Sequence, residues 1–182
     1  ANALHGIREI HEWLPVSYTG DKEARQHMHE AQCIAGIAFS SGLLGIVHSM
    51  AHKTGAAFSG GHIIHGCANA IYLPYVIQYN AKDATAKKRY AAIAKSVGLA
   101  GNTDDELVAA LCAKIDDYNV KLNIPKTLKD FGINEAEFLE KLPEVAANAV
   151  GDACTGSNPR SITPAQMEQL LKATYYGTKV DF

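Results

Sequence analysis

The sequence predicts an all-α, multi-helix bundle of about seven to nine helices, and three observations carry that prediction. Apolar residues recur at helical spacing through nearly every segment. Segment ends are marked by capping side chains, prolines and glycines. No run alternates apolar and polar residues with β-branched enrichment, and no internal repeat is visible. At 182 residues and 47% hydrophobic composition, the chain is long enough to bury a sizeable core as a single domain over residues 1–182.

In chain order, Leu4, Ile7, Ile10 and Leu14 form a helical stripe beside Trp13, and Pro15 is expected to close that helix. Tyr18, Thr19 and Gly20 make a turn, after which Asp21 caps a long segment. That segment opens polar and then loses all charge from Ala31 to Val47. The run touches the lower limit for a membrane span, about 17 residues, but it holds Gln32, Ser40, Ser41 and mostly small residues. It reads instead as a central helix buried on all sides, with Gly36, Gly42 and Gly45 allowing close backbone approach and the first histidines at its C-terminal end.

Further on, GCANAIYLPYVIQYN is a buried helix interrupted by Pro74 and ending at Asn80. ATAKKRYAAIAKSVGL is amphipathic, with Tyr90, Ile93, Ala94 and Val97 facing inward and Gly98 as its stop. Thr103 and Glu106 form a capping box for a helix reaching about Leu122, with Leu107, Leu111, Ile115 and Val120 as its apolar repeat before Pro125. Asn134 caps the next helical stretch. The irregular segment DACTGSNPRSITPAQ then leads to a last helix, with Thr163 as cap, Pro164 at its first position and Gly177 beyond its end.

The formal net charge of −2 comes from nearly balanced acids and bases without basic blocks, so the footprint of a nucleic-acid binder is missing. The four cysteines, Cys33, Cys67, Cys112 and Cys154, are widely spaced and lack a CxxC pair. That usage fits reduced thiols in a cytoplasmic protein, three of them as small buried apolar residues. The N-terminal residues have no basic region followed by an apolar run, and the chain starts without methionine inside what already reads as a helix, as a fragment would.

Half of the eight histidines lie in HSMAHKTGAAFSGGHIIHGCANA, from His48 to Ala70. His48 and His52 are four apart on a helix, which sets both imidazoles on one face. His62 and His65 follow a turn in which Gly55, Gly60 and Gly61 let the chain reverse. Imidazole suits both zinc and ferrous iron. Ser49 stands where HExxH would place a general base, which removes the metalloprotease reading. Glu23, His27 and His29 are assigned to a solvated helix face.

Several stretches in order, EARQHMHEAQCIAGIAFSSGLLGIVHSMAHKTGA, HGCANAIYLPYVIQYN, NIPKTLKDFGI and DACTGSNPR, resemble the C-terminal helical domain of the iron-containing, group III, alcohol dehydrogenases. The likeness is nearest to the alcohol-dehydrogenase module of bifunctional aldehyde-alcohol dehydrogenases and to butanol-type enzymes. It covers almost the whole chain. The resemblance implies the helical half of a dehydroquinate-synthase-like fold, with a divalent metal, Fe2+ or alternatively Zn2+, in a cleft facing a nucleotide-binding domain. It implies His48 and His65 as metal ligands, His52 as a proton relay near the nicotinamide, and Cys154 beside the cofactor, NAD(H) or NADP(H).

The family's remaining ligands, in a DxxxH arrangement, have no counterpart before His48, and the glycine-rich nucleotide-binding half is likewise outside the chain. Between Phe58 and His65 the chain is a few residues longer than many relatives, with Ile64 where proline is usual, so His62 is expected beside the ligands rather than among them. The expected parent interconverts a primary alcohol and its aldehyde and forms a homo-oligomer, while the isolated chain is inactive. Two alternatives are a self-sufficient metal site made by His48, His52, His62 and His65, and a non-catalytic assembly module.

Overall fold

The structure, a computed structural model, describes residues 1–59 and 62–182. The described residues form nine α-helices, one 3-10 turn and no strand. The helices are α1 (Asn2–Tyr18), α2 (Lys22–Gly42), α3 (Ile46–Thr54), α4 (His65–Asn80), α5 (Ala84–Ser96), α6 (Asp104–Lys121), α7 (Leu128–Phe131), α8 (Glu135–Val150) and α9 (Pro164–Tyr176), with the 3-10 turn at Thr155–Ser157. Local capping chemistry sets most of their starts. Asp21, Asp83, Thr103, Thr127, Asn134 and Thr163 each accept a hydrogen bond from a backbone N–H in the first turn, and Thr163 completes a reciprocal capping box with Gln166.

The central helix is α4. Ile71, Tyr72, Tyr75, Val76 and Tyr79 join the larger core with Ile46 and Met50 of α3, Phe138 and Leu142 of α8, and Met167, Leu170 and Leu171 of α9. Ile77 turns the other way, into a smaller core with Ala91 and Ala94 of α5 and Leu107, Val108 and Leu111 of α6. A helix buried on both sides explains why its sequence shows little amphipathic stripe.

This corrects the expectation of one long buried helix running into the first histidines. The segment breaks after Gly42, and α2 and α3 diverge by 105°. Leu43 takes a φ of 62°, Gly45 is extended, and α3 starts afresh at Ile46. Tertiary contacts hold the break: Ser157 Oγ donates to the Leu44 carbonyl at 2.6 Å, and Asn158 Oδ1 accepts from the Ile46 N–H at 3.4 Å. A Cβ at Gly45 would lie 2.9 Å from Asn158 Oδ1, so any larger residue there would push Asn158 away from the Ile46 N–H. Only Ala24 and Ala31 of α2 are buried, and the helix lies against α1. Cys33, expected inside, is consequently exposed. Among the described residues no single helix is long and apolar enough to cross a membrane; the α2–α3 pair reaches that composition only across its bend.

Of the three prolines inside helices, Pro15, Pro74 and Pro143, the first two have the carbonyls they free taken over by other side chains. Pro15 does not end α1, which continues to Tyr18. The His11 carbonyl, left without its helical donor, accepts from Tyr118 Oη at 2.9 Å. Likewise Pro74 frees the Ala70 carbonyl, which accepts from Asn119 Nδ2 at 3.0 Å. That bond turns Asn119 inward and leaves Val120, expected in the apolar stripe, 76% exposed.

The reversal assigned to Gly60 and Gly61 lies outside the described residues. Its preceding glycine, Gly55, is helical, and its use is closeness: a Cβ there would meet the Ala51 carbonyl at 3.3 Å and His62 Cε1 at 3.6 Å.

Candidate metal centre

The new start at Ile46 aims α3 across the N-terminus of α4. His48 and His52 leave α3 one turn apart, with ring centroids 6.2 Å from each other. His65 is the first residue of α4, and its ring lies 5.3 Å from His48 and 5.2 Å from His52, nearly parallel to the latter. Buried bonds fix the two helices here: Tyr72 Oη donates to Thr54 Oγ1 at 2.7 Å, and Thr54 Oγ1 donates to the Met50 carbonyl at 2.7 Å.

His48 and His65 converge on one point. Asn69, one turn into α4, places its Nδ2 3.1 Å from His65 Nε2 and 3.5 Å from His48 Nε2. Burial lowers the His48 pKa, and His65 and His52 lower it further, so this ring keeps its lone pair at neutral pH. Asn69 Oδ1 is buried without a hydrogen-bond partner. An N–H donor shared by two imidazole nitrogens, backed by an orphaned amide oxygen, leaves a polar corner unsettled among its own groups. An ion held about 2.1 Å from two imidazole nitrogens at a tetrahedral angle sets the ring centroids roughly 5 Å apart, so the His48–His65 spacing fits a shared divalent ion.

His52 faces the loop after α8. Its Nδ1 lies 3.2 Å from Asp152 Oδ2, and Lys53 Nζ reaches the same oxygen at 3.1 Å. Asp152 Oδ1 accepts the Cys154 N–H at 3.0 Å. Burial would raise the Asp152 pKa, but these bonds from Cys154, Lys53 and His52 hold the carboxyl well below its usual range. Burial pushes the Cys154 thiol up, and the Asp152 carboxylate adds to the effect. The loop is pinned to α3 by a Thr155–Ser49 hydroxyl pair at 2.8 Å.

The family model for the Fe-containing alcohol dehydrogenase family, C-terminal, matches residues 1–175. The chain belongs to the iron-containing alcohol dehydrogenase family. It is 57% identical over 180 residues to the NADPH-dependent butanol dehydrogenase of Clostridium saccharobutylicum, a match covering 99% of this chain and 45% of that protein. The bifunctional aldehyde-alcohol dehydrogenase of Escherichia coli is 39% identical over 193 residues, covering 96% of this chain and 21% of its own length. The iron-containing alcohol dehydrogenase of Thermococcus thioreducens superposes with a TM-score of 0.88 at 34% identity, over 98% of this chain and 44% of that one. The chain thus spans less than half the length of these relatives, and its fold is the C-terminal helical domain of iron-containing alcohol dehydrogenases.

Within this helical domain of the iron-containing alcohol dehydrogenase family, the structure gathers His48, His52 and His65, with Cys154 reached through Asp152. His62 is exposed and lies against Gly55. Among the described residues, His62 belongs to no group of three or more His, Cys, Asp or Glu donors lying within 4.8 Å of one another, so the four histidines are not assembled into one donor set. His27 stacks on Trp13 at 4.1 Å and pairs with Glu9. Sequence reasoning missed Asn69 and Asp152. The first had a signal, four residues after His65 on the same helix; the second stands two residues before Cys154 in DACTGSNPR, but its pairing with His52, 100 residues away, had none.

Proposed function

We propose that the chain is the helical half of a metal-dependent, NAD(P)-linked alcohol dehydrogenase that interconverts a primary alcohol and its aldehyde. The observation that carries this reading is the convergence of His48 Nε2 and His65 Nε2 on the single Asn69 amide nitrogen, within a chain of this family. His48 and His65 would hold the ion, ferrous iron or alternatively zinc. Such an ion contributes Lewis-acid polarisation of the alcohol or carbonyl oxygen. The 57% identity to an NADPH-dependent butanol dehydrogenase favours a short primary alcohol and NADP(H) over NAD(H).

The chain's own residues do the rest of the work on this side of the cleft. Asp152 accepts from His52 Nδ1, which fixes the tautomer and leaves Nε2 to exchange a proton with the substrate oxygen. Cys154 lies beside this pair, on the side assigned to the nicotinamide. Hydride transfer needs the coenzyme, which a nucleotide-binding α/β domain would bring to the cleft. The chain alone is therefore inactive, since two imidazoles hold an ion weakly and nothing orients the hydride donor. The parent protein is read as a cytoplasmic homo-oligomer.

Anaerobic ferrous titration of the chain tests this reading against the His48→Ala, His65→Ala double variant. Weak, substoichiometric binding that disappears in the variant is expected. Binding unchanged in the variant, or tight stoichiometric binding that also needs His62, would overturn it.

A further inference from the structure

The geometry points to a second cation site, built from His52 Nδ1, an Asp152 carboxylate oxygen and Cys154 Sγ, that takes a thiophilic divalent ion such as Zn2+ or Cd2+. These three donor atoms all lie within 4.8 Å of one another, the one such set of His, Cys, Asp and Glu groups among the described residues. A tetrahedral ion with bonds of about 2.0–2.3 Å needs its donors roughly 3.5 Å apart. The His52–Asp152 separation is already 3.2 Å, so closing the set requires a turn of the Cys154 side chain and release of the His52 and Lys53 bonds to Asp152.

The frame beneath the donors is fixed independently of them. His52 stands on α3, whereas Asp152 and Cys154 come from the loop after α8. Thr155 bonds Ser49 and the Ala149 carbonyl, and Ser157 bonds the Leu44 carbonyl, so the loop and α3 are tied on both sides of the donor set. The Cys154 N–H on Asp152 Oδ1 leaves Oδ2 as the oxygen facing His52. Donors held by surrounding bonds in this way suffer little ordering cost on binding.

Lys53 Nζ is the competitor, 3.1 Å from Asp152 Oδ2. Its side chain is about a third exposed and ends in water's reach, so a dication takes its place at the carboxylate while the ammonium swings outward. Coordination forms an S–metal bond and releases the thiol proton to solvent. The imidazole gives up the Nδ1–H that it donates to Asp152 and binds through that nitrogen as the Nε2–H tautomer, the proton passing through solvent, with no change of oxidation state. A mixed N, O and S donor set selects soft or borderline ions over magnesium and calcium. On the function proposed above, an ion here would hold the imidazole that exchanges protons, so thiophilic ions would oppose turnover; the site itself rests on the donor geometry and not on that function.

Cd2+ titration, read by the ultraviolet thiolate-to-metal charge-transfer band, tests the site in the His48→Ala, His65→Ala background, where the other imidazole pair is absent. The band should saturate at one ion per chain, vanish in Cys154→Ser, shift its midpoint at least tenfold in Asp152→Asn, and persist in Cys33→Ser. In the unmutated chain, Cd2+ should protect Cys154 from iodoacetamide, read by mass spectrometry, which covers the case of a variant that fails to fold. A band that survives Cys154→Ser, a band lost with His48 and His65, or unprotected alkylation of Cys154 overturns the inference. Failure of ferrous binding at His48 and His65 overturns only the proposed function.

Discussion

The α1–α2 hairpin and the α3–α4 corner use similar residues to opposite ends. CIAGIAF on α2 and GIVHSMA across the start of α3 are comparably apolar, yet Ile37 is 54% exposed and Met50 is fully buried. The hairpin closes through small residues: Gly6 and Ala31 let the two backbones approach, with a Cβ at Gly6 falling 3.5 Å from the Ala31 carbonyl. Its large side chains, Ile37, Phe39 and Leu43, face away from the core. The corner instead sends Ile46, Met50, Ile71 and Tyr72 inward and ties its backbone to a loop more than 100 residues away. Hydrophobicity alone therefore does not say which half of an apolar run stabilises the fold; the break between the halves does.

The largest effect separating the two regions should come from shortening matched apolar residues. Met50→Ala is expected to cost about 2–5 kcal/mol in urea unfolding, and Ile37→Ala less than about 0.5 kcal/mol. Equal costs would show that the hairpin shares the core. Next, Asn158→Ala removes the acceptor for the Ile46 N–H and the partner of Asn80, and is expected to cost about 1–3 kcal/mol in the same measurement. Leu43→Gly should work in the opposite direction. A φ of 62° with ψ of −179° is strained for leucine, so relief should raise the unfolding free energy by about 1 kcal/mol, and a loss would mean that the strain is absent.

A smaller, local effect sharpens the comparison on the corner's own side. Lys141, the Ser59 N–H and the Ser59 hydroxyl all bond Glu137 and hold its pKa down to about 2 from 4.5. Because the folded value is depressed, the stabilisation is fully present above pH 4.5 and fades as pH falls toward about 2. Hydrogen-exchange protection of the Ser59 amide should weaken over that interval, and Glu137→Gln should remove the dependence.

The elements most legible in the sequence were those set by neighbours. Asp21, Asn134 and Thr163 cap as their positions predict because a capping bond spans three residues and needs no partner from elsewhere. The His48–His52 pairing on one helix face was legible for the same reason. Pro15 misled because the sequence shows the carbonyl it frees but not Tyr118 Oη, 107 residues on, that accepts the burden of bonding it. Val120 misled in the same way, since the periodic stripe gave no sign that Asn119 would be drawn inward to serve Pro74's freed carbonyl.

By itself, then, the sequence determined the helical class, most helix starts, the presence of two histidine pairs and, through its motifs, the family. Tertiary structure decided the rest: the 105° turn at Leu43–Gly45, the choice of α4 as the buried centre, Asn69 as the meeting point of His48 and His65, and Asp152 behind His52. The division follows from range. Caps and helical spacing act within one turn of chain, whereas the break, the orphaned carbonyls and the Asp152–His52 pair depend on groups that meet only after distant helices have packed.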